Sequence, residues 1–195
     1  MQHYFSEKQQ SPLRLRKLAA TLRGKYFEFY SGSGVFSKSR IDTGTELLAN
    51  AMELADTTRI LDLGCGIGVI GIVAASCSKS KVLMVDVNER ALQLAELNVK
   101  LNKVTAAVRK SNLYEQVHGL FTAIIVNPPQ TAGKKICYEI IDKAPAHLKE
   151  KGTLQLVARH NKGGRDLSRK MKEVFGNVRE IAKQAGYRVY VAEKE

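Results

Sequence analysis

The run Arg59-Ile-Leu-Asp-Leu-Gly64-Cys-Gly66-Ile-Gly68-Val-Ile-Gly71 decides how the remaining sequence is read. An apolar stretch meets an acid, breaks into closely spaced glycines and resumes as a second apolar stretch: a strand, a tight loop and a helix. Glycines belong where the backbone must turn sharply or approach a ligand closely. The next apolar run ends at Asp86, twenty residues beyond Gly66. A carboxylate there lies at the carboxyl edge of a sheet, where it can accept both hydrogen bonds of a ribose diol.

Outward from the loop, strands and helices alternate. Asp42 and Thr43 can cap a helix whose apolar face is Leu47, Ala51 and Leu54. Short apolar strands are expected at 59–63, 82–86, 105–109, 122–126 and 153–158. Asn88 can cap a helix carrying Leu94, Leu97 and Leu101, and another follows Gly133 with Cys137, Ile140, Ile141, Ala144 and Leu148. This alternation predicts an α/β fold: a doubly wound, mostly parallel sheet whose right-handed crossovers place helices on both faces. A last helix with Leu167, Met171 and Val174 leads to strands at 177–182 and 187–192, separated by a few residues around Gly186. So short a link cannot hold a crossover helix, and the C-terminal strands are expected to be antiparallel. Residues 1–40 read as a basic N-terminal extension, with a hairpin of 25–30 and 35–37 around the turn Ser31-Gly-Ser-Gly34. Residues 41–195 form the main domain.

Composition narrows the class. With 195 residues, 44% of them hydrophobic, the chain suits one globular domain and a short appendage. Three cysteines without a CxxC pair indicate neither a disulfide framework nor a thiolate metal site, so no metal is expected and a reducing, cytoplasmic setting fits. The first residues hold no apolar signal core, and the uncharged run 63–78 is shorter than the roughly 20 residues a bilayer requires, so no membrane association is expected. The net charge of +12 sits at the ends. Residues 1–40 carry eight Lys/Arg against two acids and 151–195 carry eleven against five, whereas 41–150 carry twelve of each. Clustered basic charge is the footprint of a polyanion, most often nucleic acid, with a solubilising surface as the alternative.

A second motif, Ile124-Ile-Val126-Asn127-Pro128-Pro129-Gln130, closes the fourth strand of the main domain. Two prolines forbid continued sheet or helix, so the chain leaves as a rigid extended turn at the carboxyl end of the sheet, beside any ligand held by the glycine loop. The Asn127 side-chain oxygen and a nearby backbone carbonyl could accept both protons of an sp² amino group. That grip would favour a pyramidal nitrogen whose lone pair points at an electrophile, with no strong base, metal or covalent nucleophile required.

The glycine loop alone admits two ligand classes. Gly66-Ile-Gly68-Val-Ile-Gly71 spells GxGxxG, the dinucleotide fingerprint. Asp62 argues against a pyrophosphate and for a cationic ligand with an ammonium and a sulfonium. Asp62-Leu-Gly-Cys-Gly-Ile-Gly68 resembles the first motif of class I S-adenosylmethionine (SAM)-dependent methyltransferases, and Asp86 resembles their second acidic position. The resemblance implies a Rossmann-like fold and a SAM site. Asp62, Gly64, Gly66 and Gly68 would hold the methionine moiety and Asp86 the ribose. Val87 would flank the adenine, and Asn112, where the family often has aspartate, would accept from the adenine amine without charge assistance.

Asn127-Pro-Pro-Gln130 resembles the (D/N)PP(Y/F/W) motif of amino-methylating enzymes, with Asn127, Pro128 and Pro129 as the catalytic turn. Gln130 stands where an aromatic usually stacks on the target, so stacking falls to Phe36 or Tyr30. His3-Tyr-Phe-Ser6, Ser33-Gly-Val-Phe-Ser37, Asp42-Thr-Gly-Thr45, Asn98 with Asn102 and Phe175-Gly-Asn-Val178 resemble the small-domain methyltransferase family, which includes guanine-N2 methyltransferases of ribosomal RNA. The resemblance implies SAM-dependent methylation of an exocyclic base nitrogen in RNA, guanine N2 of ribosomal RNA foremost, with the basic flanks on the RNA or ribosomal particle. Protein glutamine N5-methylation, a noncatalytic RNA-binding module on a SAM-binding fold, and NAD-dependent oxidation are the competing readings. Asn98 and Asn102, four apart, read equally as polar surface or helix-end hydrogen bonding.

Overall fold

The computed structural model describes residues 14–35, 40–54, 59–129 and 133–195. Two strands open the chain, β1 (Arg16–Leu22) and β2 (Lys25–Ser31), followed by α1 (Thr43–Ala51). The alternation then runs β3 (Arg59–Leu63), α2 (Val69–Cys77), β4 (Lys81–Asp86), α3 (Glu89–Leu101), β5 (Ala106–Lys110), β6 (Phe121–Val126), α4 (Lys134–His147) and β7 (Leu148–Arg159). It closes with α5 (Arg165–Phe175), β8 (Arg179–Gln184) and β9 (Tyr187–Glu193). The main sheet has the order β5-β4-β3-β6-β7-β9-β8. Strands β3 to β7 are mutually parallel, and β9 lies antiparallel between β7 and β8, as the short link at Gly186 requires.

Both faces of the sheet are covered, which is why its central strands, such as β3 and β6, read as continuous apolar runs. Successive side chains alternate faces. Ile60, Met84 and Ile125 join the core beneath α1, α2 and α3, and Leu61, Ile124 and Leu156 join the core beneath α4 and α5. Leu18, Leu22, Phe27 and Phe29 of the hairpin share the first of these cores. None of the described helices is long and apolar enough to cross a membrane.

The hairpin exists, but not where the sequence placed it. Its strands are β1 and β2, and the turn is Arg23-Gly24, both in the left-handed region at φ 50° and 74°. A two-residue turn of this hand matches strand twist, and arginine is an uncommon residue to supply it. Arg16 and Lys17 of the basic extension therefore lie on strand β1, whose Leu18 and Leu22 face inward. Ser31-Gly-Ser-Gly34 is the exit from β2 rather than a turn between strands. It runs past the start of α3, where Asn88 Nδ2 donates to the Gly34 carbonyl at 3.0 Å and Arg90 Nη1 to that of Ser33 at 2.9 Å.

Two smaller boundaries also move, and one residue expected on an apolar face is exposed. Helix α1 ends at Ala51, before Leu54, and Leu148 opens β7 instead of closing α4. Leu97 is 43% exposed, because α3 buries Ala91, Leu92, Leu94 and Ala95 together with Asn98.

Asn98 is fully buried for a specific reason. Its carboxamide accepts from the Tyr30 N–H at 2.6 Å and donates to the Tyr30 carbonyl at 3.0 Å. Asn102 repeats the exchange with Glu28, at 3.3 and 2.8 Å. Four residues of helix advance about 6 Å and two residues of strand about 6.6 Å, so the two asparagines satisfy the free edge of β2 as a neighbouring strand would. Asn98 Nδ2 also donates to the Ile67 carbonyl at 2.9 Å, tying hairpin, helix and glycine loop together.

Candidate active site

In an open parallel sheet, a ligand crevice forms where neighbouring strands send their chains in opposite directions. Here that point lies between β3 and β6, with β4 and β5 on one side and β7 on the other. The glycine loop leaves β3 and the Asn-Pro-Pro turn leaves β6, so the two motifs become neighbours although more than fifty residues separate them in sequence. A cavity of about 230 Å³ opens between them, walled by Gly64, Gly66, Asp86, Val87, Asn112, Asn127, Pro128 and Pro129 from the expected set.

The loop is held from behind. The amides of Gly64 and Cys65 both donate to the Val85 carbonyl, at 2.8 and 2.9 Å. Gly66 takes φ +55°, a conformation costly for other residues, and aims its N–H at Asp86 Oδ2, 2.8 Å away. Asp86 Oδ1 accepts from the Asn88 N–H at 2.8 Å, and the side chain lines the cavity. Burial raises the Asp86 pKa, opposed by amides of Asn88, Gly66 and Val87.

Asp62 and Gly68 do not line the cavity. Asp62 shares a strand face with Ile60, so its side chain lies under α2, where Oδ2 accepts from the Gly71 N–H at 2.8 Å. The side chain is 1% exposed, and burial pushes its carboxyl up to about 7, aided by the nearby Asp86 charge and opposed by the Gly71 amide. Asp62 therefore shapes the loop from behind instead of facing a cation in the crevice. Gly68 starts α2 at φ +88°, and a Cβ there would meet Ala95 Cβ at 3.3 Å. The Cys65 thiol is pushed well above its usual range by burial, with Asp62 and Asp86 adding to the effect, which disfavours the thiolate form.

On the far side of Asp86, Val87 and Leu113 form apolar walls and Asn112 donates Nδ2 to Glu115 Oε1 at 2.8 Å, leaving its oxygen to accept. At the Asn-Pro-Pro turn, Asn127 Nδ2 donates to Thr45 Oγ1 at 2.9 Å, with Asp42 Oδ2 at 3.5 Å. The Nδ2 group is thus turned towards α1, and Oδ1 is the acceptor left for the cavity. Thr45, Ile136 and Ile140 complete this end. Sequence reasoning assigned Ile140 to the core and missed Thr45, Leu113 and Ile136 as lining residues, because nothing local distinguishes a cavity wall from ordinary packing. Phe36 and Gln130 lie outside the described residues, and no aromatic side chain lines the cavity among those described. No group of three or more potential metal ligands occurs among the described residues. The arrangement places a carboxylate, an apolar slot and a carboxamide within one crevice, groups that can accept hydrogen bonds from a diol and from an amino group.

Comparison with known proteins places the chain in a family. The methyltransferase small domain family matches residues 26–191. The uncharacterized protein YbxB of Bacillus subtilis is 38% identical over 99% of this chain and 98% of its own length. Ribosomal RNA small subunit methyltransferase C of Haemophilus influenzae is 34% identical over 83% of this chain and 49% of its own length. Among solved structures, the T. thermophilus 16S rRNA N2 G1207 methyltransferase in complex with AdoMet and guanosine superposes with a TM-score of 0.82 at 25% identity, covering 96% of this chain and 53% of that one. The chain thus spans about half the length of these ribosomal RNA methyltransferases.

Proposed function

This chain belongs to the methyltransferase small domain family, and from that premise we propose that it transfers a methyl group from S-adenosylmethionine to an exocyclic amino nitrogen of RNA, guanine N2 of small-subunit ribosomal RNA. The observation that carries the proposal is the Asn127 carboxamide, held with its nitrogen against Thr45 and its oxygen left for the crevice whose opposite wall is Asp86. The relatives named for methylation of ribosomal RNA, one solved with AdoMet and guanosine, support the choice of cofactor and substrate.

The cofactor, when bound, supplies an electrophilic methyl on a good leaving group. Everything else is positioning. Asp86 accepts from the ribose diol, Val87 and Leu113 hold the adenine, and Asn112 accepts from its amino group. Gly64 and Gly66 let the backbone lie close to the methionine moiety, while Asp62 and Gly68 keep the loop in shape. Asn127 Oδ1 and a carbonyl of the Asn-Pro-Pro turn accept the two amine protons, turning the nitrogen lone pair towards the methyl. Well-oriented reactants lower a barrier by roughly 7–11 kcal/mol; as the N–CH3 bond forms and the S–CH3 bond breaks, the nitrogen's surplus proton passes to solvent, so no strong base is called for.

The target base has to be unstacked before its amine reaches Asn127. The basic flanks, 1–40 and 151–195, engage phosphates; of these, Arg14, Arg16 and Lys17 are exposed on or beside β1. For single-stranded RNA, log K should fall with log salt at about −0.7 per phosphate contact. The test is incubation with small ribosomal subunits, free small-subunit RNA and SAM bearing a deuterated methyl, followed by nucleoside mass spectrometry. Label in N2-methylguanosine supports the reading. Label confined to protein glutamine, or no label in either substrate, refutes it.

A further inference from the structure

We propose that Asp42 and Thr45 are positioning residues that decide which way round the Asn127 carboxamide sits. The inference rests on the methyl-transfer reading above and adds two residues to its machinery. A carboxamide is nearly symmetric in shape, but its two ends have opposite hydrogen-bonding character. With Oδ1 towards the crevice it grips an incoming amino group. Turned over, it would set one NH2 against another, and the grip would be lost.

The structure contains a chain of donors and acceptors that permits only one orientation. Asp42 caps α1, its Oδ1 accepting from the amides of Gly44 at 3.0 Å and Thr45 at 3.2 Å. Its Oδ2 accepts from the Thr45 hydroxyl. A hydroxyl has a single proton to give. Once that proton goes to Asp42, Thr45 Oγ1 has only lone pairs left, so the atom facing it at 2.9 Å must be a donor, Asn127 Nδ2. Asp42 Oδ2, 3.5 Å from the same nitrogen, favours the same choice, since a carboxylate oxygen is an acceptor.

The chain is also rigid. Thr45 is 7% exposed, so water cannot readily take its place. The first turn of α1 is pressed onto Tyr187, where a Cβ at Gly44 would come within 2.9 Å of the ring. Helix α1 thereby carries a polarity signal from its own cap to the reacting end of β6, although none of its residues needs to touch the cofactor.

The test uses the full chain and three variants. Thr45→Val keeps the shape and removes the hydroxyl; Thr45→Ser keeps the hydroxyl; Asp42→Asn keeps a good helix cap but adds a donor that lets the hydroxyl reverse. Turnover is measured on small ribosomal subunits with tritiated SAM, SAM affinity by calorimetry, and the Asn127 Nδ2 protons by their hydrogen exchange in NMR spectra. For Thr45→Val and Asp42→Asn we expect kcat to fall on the order of 10- to 100-fold, with SAM affinity unchanged, and Thr45→Ser to restore most of it. Wild-type kcat in either of the first two variants overturns the proposal, as does a parallel loss of SAM affinity or a failure of serine to rescue. If Thr45→Val does not fold, Asp42→Asn decides. Should the wild type transfer no methyl, the methyl-transfer reading fails, and the exchange data still judge the relay: slow Nδ2 exchange that is lost in Thr45→Val supports it, and fast exchange in the wild type overturns it.

Discussion

Replacing Asp62 by asparagine isolates the cost of holding a carboxyl beneath the glycine loop. In the folded chain that group titrates at about 7, burial being the largest cause, against about 3.9 in an unfolded chain. The fold therefore binds the proton roughly a thousandfold more tightly, equivalent to about 4 kcal/mol. Below about pH 4 both states hold the proton and the stabilisation from that proton is complete. Between about pH 4 and 7 only the folded state keeps it, so unfolding free energy falls as pH rises, and above 7 the contribution is gone. Asparagine still offers an oxygen to the Gly71 N–H but cannot ionise, and any cost of burying its amide is independent of pH. The stability of Asp62→Asn minus that of the wild type should therefore rise by about 4 kcal/mol from about pH 4 to about pH 8. At roughly 2–4 °C per kcal/mol for a chain of this size, the relative gain in Tm is about 8–16 °C. Urea titrations and calorimetric melts of both proteins across that range measure it. Parallel stability curves would refute the assignment of a buried, proton-binding carboxyl.

Other outcomes follow from single contacts. Asn98→Ala strands the Tyr30 amide and the carbonyls of Tyr30 and Ile67; at roughly 1–3 kcal/mol for each stranded group, denaturant titration should show a loss on the order of 3–9 kcal/mol. Because Ile67 belongs to the glycine loop, calorimetry should show weaker SAM binding in the same variant. Gly71→Ala would place a Cβ 2.3 Å from Met84 Sδ and 3.0 Å from Asp62 Oδ2, and such overpacking should lower the unfolding free energy by roughly 1–3 kcal/mol. Asp86→Ala removes the acceptor for the amides of Gly66 and Asn88 and for the proposed ribose diol; SAM affinity should fall by roughly tenfold or more, at about 1.4 kcal/mol per decade, and unchanged affinity would remove Asp86 from the site.

What the sequence disclosed follows the range of the forces involved. The order of strands and helices was legible because both sheet faces are covered, which writes short apolar runs such as Arg59–Leu63 directly into the chain. The antiparallel end followed from the length of one connection. The hairpin was misplaced because Arg23-Gly24 carries only half of a turn signal, while Ser31-Gly-Ser-Gly34 looks like a complete one. At the site, spacing brought Asp86 and Asn127 to the same crevice, but spacing does not say which way a side chain faces. Asp62 follows the strand's alternation and points under α2, and Asn98 is polar yet fully buried because it completes the edge of β2. Thr45 stood out in the sequence only as part of Asp42-Thr-Gly-Thr45, with nothing to place it at the site; its position depends on α1 meeting the end of β6 across the fold, a contact between residues 82 apart in sequence.

The most direct test of the central claim is the pair of measurements on Asn127→Ala: methyl transfer to small ribosomal subunits and calorimetric affinity for SAM. Removing the carboxamide should abolish detectable transfer while leaving SAM affinity within about twofold of the wild type, since the cofactor contacts come from other residues. Transfer at the wild-type rate in that variant would contradict the account.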